Sequence, residues 1–174
     1  MTESYFWRVA GRWSAPERTL ELRDRTELYE AEPNDLSLLY QNSLQPDTAT
    51  GGVTGLVLNK QVQGSPAYSF AFNGDNEKWL RVQATFHCAH REWDLWKMAQ
   101  FVVRLVDKSK PGDSIVKENM IRVYRLLDGG ETKNISLDMK LPPGHYDAVN
   151  ILFWNGDSDK ELIITDLKAW SFSK

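Results

Sequence analysis

The stretch Trp79–Cys88, WLRVQATFHC, decides the fold. Leu80, Val82, Ala84, Phe86 and Cys88 fall on one side of it, and Trp79, Arg81, Gln83, Thr85 and His87 on the other. Side chains of a pleated strand point alternately to its two faces, so a period of two marks a strand with one buried side. The same period recurs downstream. Ala99–Asp107 sets Phe101, Val103 and Leu105 against Gln100, Val102, Arg104 and Val106. Lys133–Leu141 sets Ile135, Leu137, Met139 and Leu141 against Asn134, Ser136, Asp138 and Lys140. Tyr146–Trp154 sets Val149, Ile151 and Phe153 against Tyr146, Ala148, Asn150, Leu152 and Trp154, and Glu161–Phe172 closes the series.

Shorter apolar runs at Val53–Lys60 and Ala67–Phe72 precede the deciding stretch. Ile115–Leu127 is long and its parity is confused, which predicts a bulge or bend. Between the runs stand turn formers: Asn73-Gly74-Asp75-Asn76, residues 108–113 (KSKPGD), Asp128-Gly129-Gly130, Pro142-Pro143-Gly144 and Asn155-Gly156-Asp157. Short strands at this spacing predict an all-β protein, a two-sheet antiparallel β-sandwich, formed by residues 1–174 as one domain. Residues 89–98 (AHREWDLWKM) read as a short helical insert. Upstream, Leu20-Glu21-Leu22-Arg23 alternates like a strand, Pro33-Asn34-Asp35 reads as a turn and residues 45–52 as a loop. Tyr5, Phe6, Trp7, Arg8, Arg12 and Trp13 read as an N-terminal arm or extra strand within residues 1–15.

Composition narrows the function classes. A net charge of -3 and a pI near 5.6 supply no broad attraction for a polyanion, so nucleic acid is disfavoured as a partner. One cysteine, Cys88, permits no internal disulfide and no CxxC zinc pattern. No apolar run is long enough for a membrane-spanning helix, and the first residues lack the apolar core of a signal peptide. GxSxG, HExxH, P-loop and GxGxxG patterns are absent, and the acids scatter through turns. His87, Cys88 and His90 concentrate ligand types, but alternation sends His87 and Cys88 to opposite faces. Cys88 therefore reads as an inert core thiol.

Strand parity supplies the candidate binding residues. Trp79, Arg81, Gln83 and His87 share one side of their strand, and Tyr146, Asn150 and Trp154 share one side of theirs, with Arg104 as a neighbour. Set in one sheet, these side chains would converge on a polar-aromatic surface. Aromatic faces cover the C–H surface of a sugar while amide and guanidinium groups pair with its hydroxyls. Trp93 and Trp96, three apart, are candidates for a lid or ligand platform if their turn is helical, and equally for a staple that packs the insert onto the sheet.

The closing block VNILFWNGDSDKELIITDLKAWSF (149–172) resembles the end of galactose-binding-like and carbohydrate-binding-module jelly rolls, with Asn150, Phe153, Trp154, Asp166 and Leu167 at the matching positions. WLRVQATFHC is similar to the central strand of such modules. The resemblance implies a jelly roll, a non-catalytic carbohydrate-binding function and an extracytoplasmic location. It also implies a structural calcium held in part by Asp166, with Glu30, Glu32 and Asp35 as partners by sequence region. Two other functions stay open: a protein–protein or assembly module of the same fold, and a β-sandwich enzyme using His87, His90, Glu92 or Asp94.

Overall fold

The structure, a computed structural model, describes residues 23–31 and 55–173. The turn at 33–35, the loop at 45–52, the arm at residues 1–15 and Leu20–Leu22 of the upstream strand lie outside the described residues, while Arg23 opens the first described strand. Nine strands follow in order: β1 (Arg23–Ala31), β2 (Leu56–Leu58), β3 (Tyr68–Ala71), β4 (Trp79–His87), β5 (Gln100–Asp107), β6 (Ser114–Arg122), β7 (Thr132–Lys140), β8 (Ala148–Trp154) and β9 (Leu162–Ser173).

They form two sheets. Sheet A has the order β1-β9-β4-β7 with β2 also paired to β9, and sheet B has the order β3-β8-β5-β6. The antiparallel pairs β1/β9, β3/β8, β4/β7 and β5/β6 are nested along the chain, each partner answering another from the opposite end. Nested pairs divided between two sheets make an eight-strand jelly roll, with β2 added beside β9.

The inward rows match the alternation in the sequence. Leu80, Val82, Ala84 and Phe86 of β4, Ile135, Leu137 and Met139 of β7, and Val149, Ile151 and Phe153 of β8 are all buried. Phe86 of sheet A meets Phe101 and Phe153 of sheet B at ring-centroid distances of 5.6 and 5.7 Å, and those two stack at 5.2 Å. Each such ring contributes roughly 1.5–3 kcal/mol by leaving water. Three of them in contact tie the two sheets together near one end of β4, β5 and β8.

Two local expectations need adjustment. Residues 89–98 form no helix; the segment is a loop with one turn at 95–97. The carboxylate of Glu92 accepts from the Asp94 N–H, and that of Asp94 from the Trp96 N–H, both at 2.9 Å. These side chains take up amides that helical carbonyls would otherwise need. In 115–127 the confused parity has two sources: an irregular register between β5 and β6 at Leu105/Val106, and a short 3-10 helix at Val123–Arg125.

On the outer side of sheet A, Arg81 and Asp138 stand opposite each other on β4 and β7. Their two hydrogen bonds, at 2.6 and 2.7 Å, form a bidentate ion pair with side chains only 6% and 14% exposed. Removing one partner strands a buried charge. Asp138→Ala should therefore cost about 3–5 kcal/mol in urea denaturation, and a loss below about 1 kcal/mol would show the pair to behave as a surface bridge.

Candidate functional site

The two polar rows expected to converge lie in different sheets. Trp79, Arg81, Gln83 and His87 point outward from sheet A, whereas Arg104, Asn150 and Trp154 point outward from sheet B, so the sandwich core separates them. The shared pocket is therefore corrected to two independent faces. Parity along a strand determines which side a residue takes, but not which sheet the strand joins.

The sheet A row is engaged internally. Arg81 holds Asp138 and lies over the Phe172 ring at 5.5 Å from its centroid. Gln83 accepts from the Ser136 hydroxyl at 3.2 Å, and His87 Nδ1 lies 2.7 Å from the Thr132 hydroxyl. Trp79 packs against Phe172. Outward-facing Trp170, Phe172 and Ser136 are buried as well. Trp79, Gln83 and His87 are nevertheless only half-buried.

Tyr146 belongs to neither face. It precedes the start of β8, where alternation does not apply, and it turns into the core against Phe72. Its hydroxyl donates to the Gly74 carbonyl at 2.8 Å, and burial raises its pKa.

Sheet B presents an open face built in register. Ser69, Asn150, Arg104 and Glu118 stand side by side across β3, β8, β5 and β6. Leu152, Val102 and Met120 form the next row, and Trp154, Gln100 and Arg122 the one beyond. Directly opposed side chains in antiparallel strands sit about 4.5–5.5 Å apart at Cβ, close enough for one small ligand to touch several of them. Arg104 Nε donates to Glu118 at 2.6 Å. Asn150 Oδ1 is buried and accepts no hydrogen bond from the described residues. A buried acceptor of this kind loses about 1–3 kcal/mol until a donor reaches it.

At the far end of this face the aromatics are exposed. Trp154 is 41% exposed, Trp96 83% and Trp93 73%. The Arg122 guanidinium lies 5.9 Å from the Trp96 ring centroid, and Arg91 lies 4.2 Å from that of Trp93. The helical spacing expected of Trp93 and Trp96 does not hold, and both rings stand exposed on a loop.

The loop holding them is fixed from below. Glu92 is buried, and besides Asp94 its carboxylate accepts from the Ser158 hydroxyl at 2.7 Å. Ser158 in turn accepts from the Lys160 N–H. Gly156, at φ +48, passes so close that a Cβ there would lie 3.3 Å from the Lys97 carbonyl. Burial alone would raise the Glu92 pKa, but the bonds from Asp94 and Ser158 outweigh it and hold the carboxyl below its ordinary 4.5.

Metal-ligating and catalytic expectations can be placed too. Asp166 sits in the irregular stretch of β9 opposite Thr85, with Thr165 donating to it at 3.3 Å. Of its expected partners, Glu30 is ion-paired with Lys168, and Glu32 and Asp35 lie outside the described residues. A calcium ion takes six to eight oxygens. Among the described residues, the only three acidic, His or Cys side chains with converging ligand atoms are Asp107, His145 and Asp147, and Asp166 is not one of them. Of the enzymatic candidates, Glu92 is committed to Ser158 and Asp94 to the Trp96 amide. Cys88 is buried, donates to the Asp128 carbonyl, and has its pKa pushed up to about 11 by burial and by nearby Glu131 and Asp128.

No family model and no curated protein matches the sequence. Among solved structures, the chain is similar to a family 16 carbohydrate-binding module at 13% identity and a TM-score of 0.47, covering 71% of this chain and 81% of that one. It is similar to a CBM4 structure at 8% identity and a TM-score of 0.39, covering 59% of each chain. Similarity extends to Clostridium thermocellum xylanase 10B, whose CBM22-1 and GH10 modules were solved with xylohexaose; identity is 12%, the TM-score 0.38, and coverage 84% of this chain and 25% of that one. The assignment of a two-sheet jelly roll stands on this chain's own strand pairing. No helix among the described residues is long and apolar enough to cross a membrane.

Two outcomes follow from these environments. Glu92→Ala leaves the Asp94 amide and Ser158 hydroxyl without their acceptor and should cost about 1–3 kcal/mol. Because the folded pKa is depressed, this stabilisation is complete above the ordinary value and is lost as pH falls through the folded one. Denaturation curves should show the gap between wild type and variant narrowing in acid; a gap independent of pH would mean the carboxylate charge is not used. Cys88 should react with a thiol reagent at pH 8 on the order of a hundredfold more slowly in native than in unfolded protein, and comparable rates would contradict its burial.

Proposed function

We propose that this protein is a non-catalytic module that binds carbohydrate on the outer face of sheet B. The observation that carries the proposal is one outward face on which the Asn150–Arg104–Glu118, Leu152–Val102–Met120 and Trp154–Gln100–Arg122 rows follow one another, with Arg122 5.9 Å from the exposed Trp96 ring and the Asn150 carbonyl without a donor. Trp154 and Trp96 offer flat apolar surfaces for the C–H faces of sugar rings. Gln100, Arg104, Glu118 and Asn150 offer both donors and acceptors for hydroxyls. Val102 and the half-buried Leu152 form an apolar strip between the Asn150 and Trp154 rows. The aromatic platform needs no closing motion, since Glu92 and Ser158 already hold the loop that carries Trp96. An extracytoplasmic location, where polysaccharides are met, belongs to the same proposal.

A protein partner is the second function, supported by exposed Ile115, Val116 and Met120 on β6, an edge strand of sheet B. Unpaired edge strands with apolar side chains invite another chain.

Affinity electrophoresis through gels containing hydroxyethyl cellulose, xylan, mannan or galactan separates the two. At least one polymer should retard the protein. Trp154→Ala should weaken that binding by about tenfold, equivalent to about 1.4 kcal/mol, while Trp79→Ala on sheet A should leave it unchanged. Equal mobility in every gel would refute the proposal. If light scattering then also showed a defined dimer, the β6 edge would be favoured.

A further inference from the structure

We propose that Asp107, His145 and Asp147 form a binding site for a divalent first-row transition ion such as Zn²⁺. The site lies at the strand end beside the sheet B face, joined to it by Lys108, whose amide donates to Asp147 and whose ammonium donates to Ser69, and it is distinct from Asp166. Asp107 ends β5, and Asp147 directly precedes β8, its neighbour in sheet B. Val106 and Ala148 are paired across those strands, so the two aspartates emerge together from one end of the sheet. His145 follows Gly144, whose φ of +114 is a conformation other residues rarely adopt, and the resulting turn brings the imidazole back over the strand end.

The ligand atoms of the three side chains lie within 4.8 Å of one another, and His145 Nε2 is 3.8 Å from Asp107 Oδ1. A tetrahedral ion with bonds of about 2.0–2.1 Å holds its ligands roughly 3.4 Å apart, so only a small closure is required. Both carboxylates are already oriented by other groups. Asp107 Oδ1 accepts from the Ser109 N–H at 3.1 Å and from its hydroxyl at 2.5 Å. Asp147 Oδ1 accepts from the Lys108 N–H at 2.9 Å, its own N–H donates to Val106, and its carbonyl accepts from Phe72. Such supporting bonds are what fix a metal ligand in place.

The donor set also selects the ion. Calcium and magnesium take oxygen ligands almost exclusively, whereas an imidazole with two carboxylates suits zinc and its neighbours. His145 is 59% exposed, which leaves the remaining coordination positions to water. The cluster is not a bare collection of negative charge, because Lys110 Nζ lies 3.1 Å from Asp107 Oδ2. Lys110 is 63% exposed on the turn after β5 and can swing into solvent, so it acts as a competitor for the same charge.

That competition gives a test which a fortuitous cluster would fail. Zn²⁺ titrated into the full chain by calorimetry should bind with one-to-one stoichiometry, and Ca²⁺ should not bind at this site. His145→Ala and Asp147→Asn should each weaken Zn²⁺ by more than about tenfold, and Lys110→Ala should tighten it. The chain has three histidines, so imidazole NMR provides its own controls: His145 should shift, and His87 and His90 should not. Thermal melts of the apo variants verify folding, which an exposed imidazole should not influence. Absence of Zn²⁺ binding, affinity retained in His145→Ala, or movement of His87 or His90 in place of His145 would overturn the assignment.

Discussion

The contact of Phe86 with Phe101 and Phe153 across the sandwich is the constraint on which the remaining structure depends. Once the inward row of every strand is committed to a single core, each strand has one side left for water. Two sheets then present two outer faces, and nothing carried on one can cooperate at short range with the other. The binding face, the buried ion pair on the opposite face and the carboxylates at the strand end all inherit their positions from this division.

Within that frame the faces took different roles. On sheet A, opposed side chains satisfy one another: Arg81 with Asp138, Gln83 with Ser136, Glu30 with Lys168. Each face also retains a buried polar atom without a partner, Trp170 Nε1 on sheet A and Asn150 Oδ1 on sheet B, and beside the sheet B row large apolar rings stand in water. Folding alone does not favour exposed tryptophans held by a buried carboxylate. A buried charge is costly unless it is compensated, and Glu92 is compensated by the Asp94 amide and the Ser158 hydroxyl in the same loop that exposes Trp93 and Trp96.

The strands were legible in the sequence because alternation is a local signal, readable over eight or nine residues. Trp79–His87 and Ala148–Trp154 fall within a residue or two of where the pattern put them. Sheet membership was not legible, since it is determined by pairings such as Trp79 with Phe172 that link distant parts of the chain. Hence Asn150, Arg104 and Trp154 lie on the outer side of sheet B, and Trp79, Arg81, Gln83 and His87, expected beside them, lie on sheet A. Tyr146 was misplaced because parity was extended past a strand end. The helix expected at 89–98 failed because Glu92 and Asp94 bond to nearby amides, a competition that apolar spacing does not reveal. The Asp107–His145–Asp147 grouping was invisible for the same reason as the sheets: its members meet only after β5 and β8 pair.

Strand β9 runs through the middle of sheet A and hydrogen-bonds to β1, β2 and β4. Among the described strands it is also the last to leave the ribosome. During synthesis, β1 and β2 therefore emerge long before the neighbour that will satisfy their backbones, and β4 has only β7 for company. Sheet A is sealed in a late step, and until then its exposed edges are the part of this protein most in need of a chaperone's shelter.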